Sequence, residues 1–212
     1  MARTEAFDKY LAEYEQWFID NRYVFLSELE AVRVLLPDSG RGVEIGVGSG
    51  IFASSLNIEE GCDPSVAMRK KSQSRGIRVI DCIAEYLPWD DNTFDYVLMV
   101  TTICFVDDPQ KAIREINRVL KPGGVLVIGF VDMNSPVGKD YIKHRDKSHF
   151  YSDASFFSTD EIHKLLRENN LITHKTIQTV FDKPDKITDI QPAKNGYGEG
   201  SFIVIKAFKG AI

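Results

Sequence analysis

Gly42-Val43-Glu44-Ile45-Gly46-Val47-Gly48-Ser49-Gly50 reads as a short apolar strand carrying an acid and running into a glycine turn, and Gly61-Cys62-Asp63 follows as a second short strand closed by an acid. Glycines alternating along a tight turn let the backbone approach a ligand closely, and an acid after the next strand can hold two vicinal ribose hydroxyls. The pair points to a nucleoside-bearing cofactor. In the dinucleotide fingerprint G-x-G-x-x-G the third glycine stands five residues after the first. Here that place is Ile51, and the glycines fall at 46, 48 and 50 with Glu44 two residues ahead of the first. A glycine turn after a strand also occurs for tight geometry alone.

Before this stretch, Phe7, Tyr10, Leu11, Tyr14, Trp17 and Phe18 recur at three- and four-residue steps, the stripe of an amphipathic helix. A second helix is expected from about Val24 to Leu35, and Pro37-Asp38-Ser39-Gly40 breaks it. Beyond the break the chain alternates strands and helices. Strands are expected at Gly42 to Ile45, Gly61 to Asp63, Ile77 to Ile83, Phe94 to Val100 and Val125 to Val131, with helices after the first, second and fourth. Near-continuous apolar runs such as Tyr96-Val97-Leu98-Met99-Val100 suit strands covered on both faces, as in a parallel sheet. Asp108-Pro109 opens one helix and Lys121-Pro122-Gly123-Gly124 stops it. Residues 132–155 read as a polar, irregular segment suited to a lid, after which Ser158-Thr159-Asp160-Glu161 matches a capping box. Two β-rich segments, Lys175 to Phe181 and Ser201 to Phe208, are expected to finish the sheet as an antiparallel pair.

Composition narrows the chemistry. The 212 residues are 43% hydrophobic and 27% charged, which suits one soluble globular domain. No apolar run nears the roughly 18 residues of a membrane span, and the N-terminus lacks a secretory pattern. A cytoplasmic protein is expected. A net charge of -5 offers no general nucleic-acid surface, so a small-molecule partner is expected, with no nucleic acid and no membrane. Cys62, Cys82 and Cys104 lie far apart without CxxC or Cys/His ligand spacing, which argues against both a disulfide framework and a zinc site. They read as buried thiols, and no metal is expected.

Five motifs occur in order: Val43-Glu44-Ile45-Gly46-Val47-Gly48-Ser49-Gly50, Gly61-Cys62-Asp63-Pro64-Ser65, Ala84-Glu85-Tyr86-Leu87-Pro88, Phe94-Asp95-Tyr96-Val97 and Leu120-Lys121-Pro122-Gly123-Gly124. Together they resemble the class I S-adenosylmethionine-dependent methyltransferases, in particular the type 11 group with its ubiquinone/menaquinone-biosynthesis-like enzymes. The resemblance covers roughly residues 7 to 131. It implies an α/β, Rossmann-like sheet of seven mostly parallel strands with the last antiparallel, helices on both faces and an N-terminal helical cap. Within a single domain of 1–212, residues 1–40 would form the cap, 41–131 the cofactor-binding core, and 132–212 the lid, a helix and the terminal strands. The implied cofactor is S-adenosyl-L-methionine. Gly46, Gly48 and Gly50 would line its methionine and ribose parts, Asp63 would accept from the ribose hydroxyls, and Glu44 would hold the loop and the ammonium end. Ala84 and Glu85 would meet the adenine ring; Thr101 and Thr102 would lie near the methionine moiety. Asp63 could instead only start a turn with Pro64, and Glu85 reads equally as an exposed acid at a helix start.

Tyr14, Trp17 and Phe18 would close the pocket, as similar segments do in the family, and an aromatic cap favours a flat or cationic acceptor. An aromatic stripe is also the mark of plain core. Many relatives carry paired histidines where this chain has Cys104-Phe105, so any acid–base role resting on that pair is absent. Methyl transfer needs a lone pair held in line with an already activated methyl, and no catalytic residue is assigned. His149 is the one base candidate with a positional argument; His144, His163 and His174 have none. The expected function is methyl transfer to a small-molecule N, O or C atom, a small amine or quinone-like acceptor ahead of a protein. A non-catalytic sensor of S-adenosylmethionine or S-adenosylhomocysteine shares every motif, and an NAD(P)-dependent oxidoreductase is opposed by the glycine spacing.

Overall fold

Between Glu5 and Leu35 the chain is mostly helical because its apolar side chains recur on one face. The computed structural model describes residues 4–210, and there the single stripe from Phe7 to Phe18 is carried by two helices, α1 (Glu5–Lys9) and α2 (Leu11–Asp20). Tyr10 leaves helical geometry between them, at φ -114° and ψ 31°. Asn21 makes a second break and donates its side-chain amide to the Trp17 carbonyl, 3.0 Å away. The next helix, α3 (Arg22–Leu35), buries Val24, Phe25, Leu29, Ala31, Val32 and Leu35, whereas α1 and α2 bury no residue fully.

The α/β core then runs β1 (Gly42–Ile45), α4 (Ile51–Ser55), β2 (Glu60–Cys62), α5 (Val66–Ser74), β3 (Arg78–Ile80), β4 (Phe94–Val100), α6 (Pro109–Val119) and β5 (Leu120–Val131). It continues through α7 (Pro136–His144), α8 (Thr159–Glu168), β6 (Leu171–Thr179), β7 (Lys194–Asn195) and β8 (Phe202–Lys209). Sheet order is β3-β2-β1-β4-β5-β8-β6-β7. The first five strands are mutually parallel, and β8 lies antiparallel between β5 and β6. This is the Rossmann-like methyltransferase arrangement, with eight strands in place of seven. The extra strand, β7, is two residues long and pairs Asn195 with Ile177 at the edge of β6.

Side-chain alternation assigns each central strand to two cores. Val97, Met99, Leu126, Ile128, Ile203 and Ile205 face α6 and α8. Leu98, Val100, Val125, Val127, Phe202 and Val204 face α3. Covered on both sides, β4 shows the continuous apolar run that its sequence announced.

Four expectations need correction. The strand expected over Ile77 to Ile83 is only three residues, Arg78–Ile80, and beyond it a single bridge, Ile83 to Tyr86, turns the chain toward β4. Residues 132–155 are not irregular throughout: Ser135 accepts the Gly138 amide (3.0 Å), Pro136 fills the first helical position and α7 follows. β5 starts at Leu120 and not at the expected Val125, so it takes in Lys121-Pro122-Gly123-Gly124, while α6 ends at Val119 directly before that motif, as expected of a helix stop. Cys62 and Cys82 are joined in a disulfide. They stand 20 residues apart, but α5 returns the chain so that β2 and β3 are neighbours, which brings the two Cα atoms to 5.6 Å, within bridging reach. Cys104 takes no part in that bridge, and its thiol donates to the Thr101 carbonyl (3.3 Å).

The capping box at Ser158 forms as read, with both reciprocal hydrogen bonds present. Among the described residues no helix is long and apolar enough to cross a membrane. No group of three metal-ligating side chains comes together among them.

Candidate functional site

At the carboxyl end of β1, Gly46, Gly48 and Gly50 adopt φ of 69°, 53° and 81°, the left-handed region that only glycine enters freely. Space enforces the same choice. A Cβ on Gly46 would lie 2.2 Å from the Thr102 methyl, and one on Gly50 would lie 2.6 Å from the Ile77 Cδ1. Thr102 earns its position by donating its hydroxyl to the Gly46 and Val100 carbonyls (3.1 and 2.9 Å), which ties the glycine loop to the end of β4. Its neighbour Thr101 sits at φ 48°, a strained conformation for a β-branched residue.

Asp63, just past β2, is held by two amides: Gly48 donates to Oδ2 (2.9 Å) and Ser65 to Oδ1 (2.8 Å). Burial raises its carboxyl to about 6, against the pull of those amides and of Arg69. Glu44 is only 2% exposed and does not line the cavity described next. Burial raises its carboxyl well above the usual range, the Ala53 amide opposes that, and its Oε2 has no partner among the described residues.

A cavity of about 410 Å³ opens over these strand ends. Its floor includes Gly46, Gly48, Asp63, Thr101 and Thr102, and one wall includes Ala84 and Glu85. Gly50 stays outside it, beneath the loop as the N-cap of α4. Glu85 is neither exposed nor at a helix start: it is 6% exposed, and its Oε1 accepts the Asp107 and Asp108 amides (2.7 and 3.1 Å). Cys82 lines the same wall, so the disulfide fastens the Asp63 strand to the Ala84 loop.

Tyr14, Trp17 and Phe18 of α2 form the roof. Polar pins hold that roof down. Asp8 accepts the Ser65 hydroxyl (2.7 Å) and the Ala67 amide (3.0 Å) at the start of α5. Arg75 pairs with Glu15 (2.7 Å) while donating to the Ser49 carbonyl. Helices without buried residues of their own are thereby anchored to the glycine loop.

The sequence reading missed much of the remaining lining. Tyr141 stacks on Tyr151 (4.8 Å between centroids), Phe7 meets Phe105 edge-on (5.0 Å), and Phe150 lies against Phe7 and Tyr14. Glu28 of α3 also opens on the cavity, 6% exposed, with its carboxyl raised to about 8 by burial. His144 lines the cavity; His149 does not, and instead stacks on Tyr10 with 4.0 Å between centroids. The positional argument for the two histidines is therefore reversed. One signal was available for Glu28: it occupies the apolar face of α3, four residues from both Val24 and Val32. The aromatic residues from α7 onward carry no periodic signal.

A methyltransferase-domain family model matches residues 43–128. A solved structure from Thermotoga maritima, described as a SAM-dependent methyltransferase and possible histamine N-methyltransferase, is 48% identical, with 97% of this chain and 99% of that one covered and a TM-score of 0.95. The chain belongs to the class I S-adenosylmethionine-dependent methyltransferases, in the type 11 group. An uncharacterised protein of Methanocaldococcus jannaschii is 44% identical to this methyltransferase over 96% of the chain and 98% of its own length. A ubiquinone/menaquinone biosynthesis C-methyltransferase of Idiomarina loihiensis is 35% identical over 42% of the chain and 41% of its own length.

S-adenosylmethionine is the methyltransferase's cofactor, and the residues present fit it. The loop leaves no space for a Cβ at Gly46, as a close backbone approach demands. The described lining residues include the acids Glu13, Glu28, Asp63, Glu85, Asp107 and Asp140 and no lysine or arginine, an acidic environment suited to a sulfonium and an ammonium.

Proposed function

We propose that this methyltransferase transfers the methyl group of S-adenosylmethionine to a nitrogen of a small amine that arrives as a cation on a flat apolar body. The observation that carries the reading is the lining of the cavity: aromatic faces and acidic side chains, with no lysine or arginine among its described residues. Aromatic faces attract cations, and carboxylates repel phosphorylated or carboxylated acceptors. A quinone-like acceptor has no use for the buried acids. The possible histamine N-methyltransferase description of the Thermotoga relative supports the same class. A one-domain organisation over residues 1–212 and a cytoplasmic location belong to this reading.

When bound, S-adenosylmethionine supplies a methyl already activated on a positive sulfur. Within this reading Gly46 and Gly48 present backbone to its methionine and ribose parts, with Gly50 shaping the turn. Asp63 accepts the ribose hydroxyls alongside the Gly48 amide. Ala84 and Glu85 border the adenine, with Glu85 fixed by the start of α6. Thr101 and Thr102 flank the methionine end, and Glu44 supports the loop from below. Tyr14, Trp17 and Phe18 close over the acceptor, exclude water and hold it in line for attack.

The test is transfer of labelled methyl to a panel of histamine, 2-phenylethylamine, catechol, a demethylated quinol and a carboxylate of similar size. Turnover is expected for the amines. Turnover confined to quinol, phenol or carboxylate would refute the amine assignment, and tight S-adenosylhomocysteine binding with no turnover on any class would favour a sensor.

A further inference from the structure

Glu28 is the one acid of the cavity contributed by α3, and its carboxyl group makes no hydrogen bond or ion pair with any described residue. Every other buried carboxylate there is engaged: Asp63 by Gly48 and Ser65, Glu85 by Asp107 and Asp108. An unpartnered carboxyl placed among apolar side chains costs stability in the folded protein unless something pairs with it. Its helix neighbours Val24, Phe25 and Val32 belong to an apolar cluster with Trp17 and Phe18, and its charge is felt by the Tyr14, Tyr141 and Tyr151 hydroxyls. The titratable groups sharing its cavity are Glu13 and Tyr14 of α2, Asp140, Tyr141 and His144 of α7, Tyr151, and Asp63, Glu85 and Asp107 on the cofactor side. None is a lysine or arginine, and burial is the cause of its raised proton affinity, with no charged neighbour contributing.

From this placement we infer that Glu28 is the anchor for the acceptor's ammonium group and the base that takes its proton before methyl transfer, an assignment that rests on the amine reading above. The acceptor's R-NH3+ pairs with the Glu28 carboxylate. One proton moves from nitrogen to a carboxylate oxygen, leaving R-NH2 beside a neutral carboxyl, the favoured form of such a pair in a dry cavity. The nitrogen lone pair then forms the N–CH3 bond as the C–S bond breaks, and that electron pair stays on sulfur. The product leaves as a methylammonium ion, and Glu28 returns its proton to water.

The experiment compares wild type, E28Q and E28D, using histamine and 2-phenylethylamine as probes, with S-adenosylhomocysteine binding as the check that each variant folds. Titration calorimetry of the amine into the protein–S-adenosylhomocysteine complex, run at pH 7 in buffers of different ionisation enthalpy, counts protons. Because burial raises the Glu28 carboxyl to about 8, it is mostly protonated at pH 7 before the amine arrives, and wild type should release most of one proton on binding. E28Q should release close to none, and E28D should retain release. In turnover, wild type should show an acid limb near pH 8, and E28Q should lose that limb together with at least about 100-fold in kcat/KM. Amine turnover by wild type with E28Q within threefold of it and an unchanged pH profile would overturn the Glu28 assignment and leave the amine reading standing. No turnover of any amine by wild type would overturn the amine reading itself. Amine binding with equal proton release in wild type and E28Q would overturn the assignment whether or not turnover is found.

Discussion

Replacing Glu28 by glutamine should change how the stability of the ligand-free protein depends on pH. The glutamate carboxyl is raised from 4.5 to about 8 by burial. A carboxyl with a raised folded-state pKa contributes stability that is fully present below its unfolded value and is lost as pH rises through the folded value. The window is therefore pH 4.5 to 8. At 1.36 kcal/mol for each pH unit, the shift sets a ceiling of about 5 kcal/mol on the stability that wild type loses across it and E28Q does not. For a chain of this length that corresponds to a ceiling of roughly 10–20 °C in melting temperature. Asp63 and Glu44, also raised by burial, contribute a falling background in both proteins. The difference between the two profiles isolates Glu28. Thermal denaturation followed by circular dichroism from pH 5 to 9, without ligand, should show E28Q gaining on wild type throughout the rise and levelling off above pH 8. Parallel profiles would refute the reasoning, because they would mean that Glu28 ionises as if in water.

Gly46→Ala forces a Cβ to within 2.2 Å of Thr102 at a φ of 69°; it should cost about 2–4 kcal/mol, read by chemical denaturation, with S-adenosylhomocysteine affinity falling in calorimetry. Asp63→Ala removes the acceptor for the Gly48 and Ser65 amides; at about 1.5–3 kcal/mol for a charged hydrogen bond, S-adenosylhomocysteine should bind roughly 10- to 100-fold more weakly. Arg75→Ala leaves Glu15 with Lys71 as its remaining cation and removes the donor to the Ser49 carbonyl, so limited proteolysis should cut residues 4–20 faster than in wild type while the global melting temperature changes little. Closing a loop of 20 residues, the Cys62–Cys82 bridge should stabilise by about 3 kcal/mol. Thiol titration of the denatured protein should find one reactive cysteine before reduction and three after it.

The elements with strong local signals were legible. β1 and β4 fall where their apolar runs stand, α6 starts at Asp108-Pro109, and the capping box at Ser158 forms with both of its bonds. Each rests on groups within a few residues of one another, so the sequence displays them side by side. The segment after Asp132 was misread because the Ser135-Pro136 start of α7 is followed by a mixed, charged stretch with little periodicity. The disulfide was misread because its two cysteines become neighbours only through a parallel crossover.

The alternating glycines, the acid after β2 and the motifs that follow made the fold and the S-adenosylmethionine cofactor legible in the sequence alone. Those features act through backbone conformation and short spacing, which tertiary packing does not alter. Only the tertiary structure brought Glu28 of α3 into one cavity with Tyr14 of α2, Asp140, Tyr141 and His144 of α7, and Tyr151. Those residues span more than a hundred positions of chain, and the charge and dryness of the space they enclose exist only once the helices have packed over the strand ends.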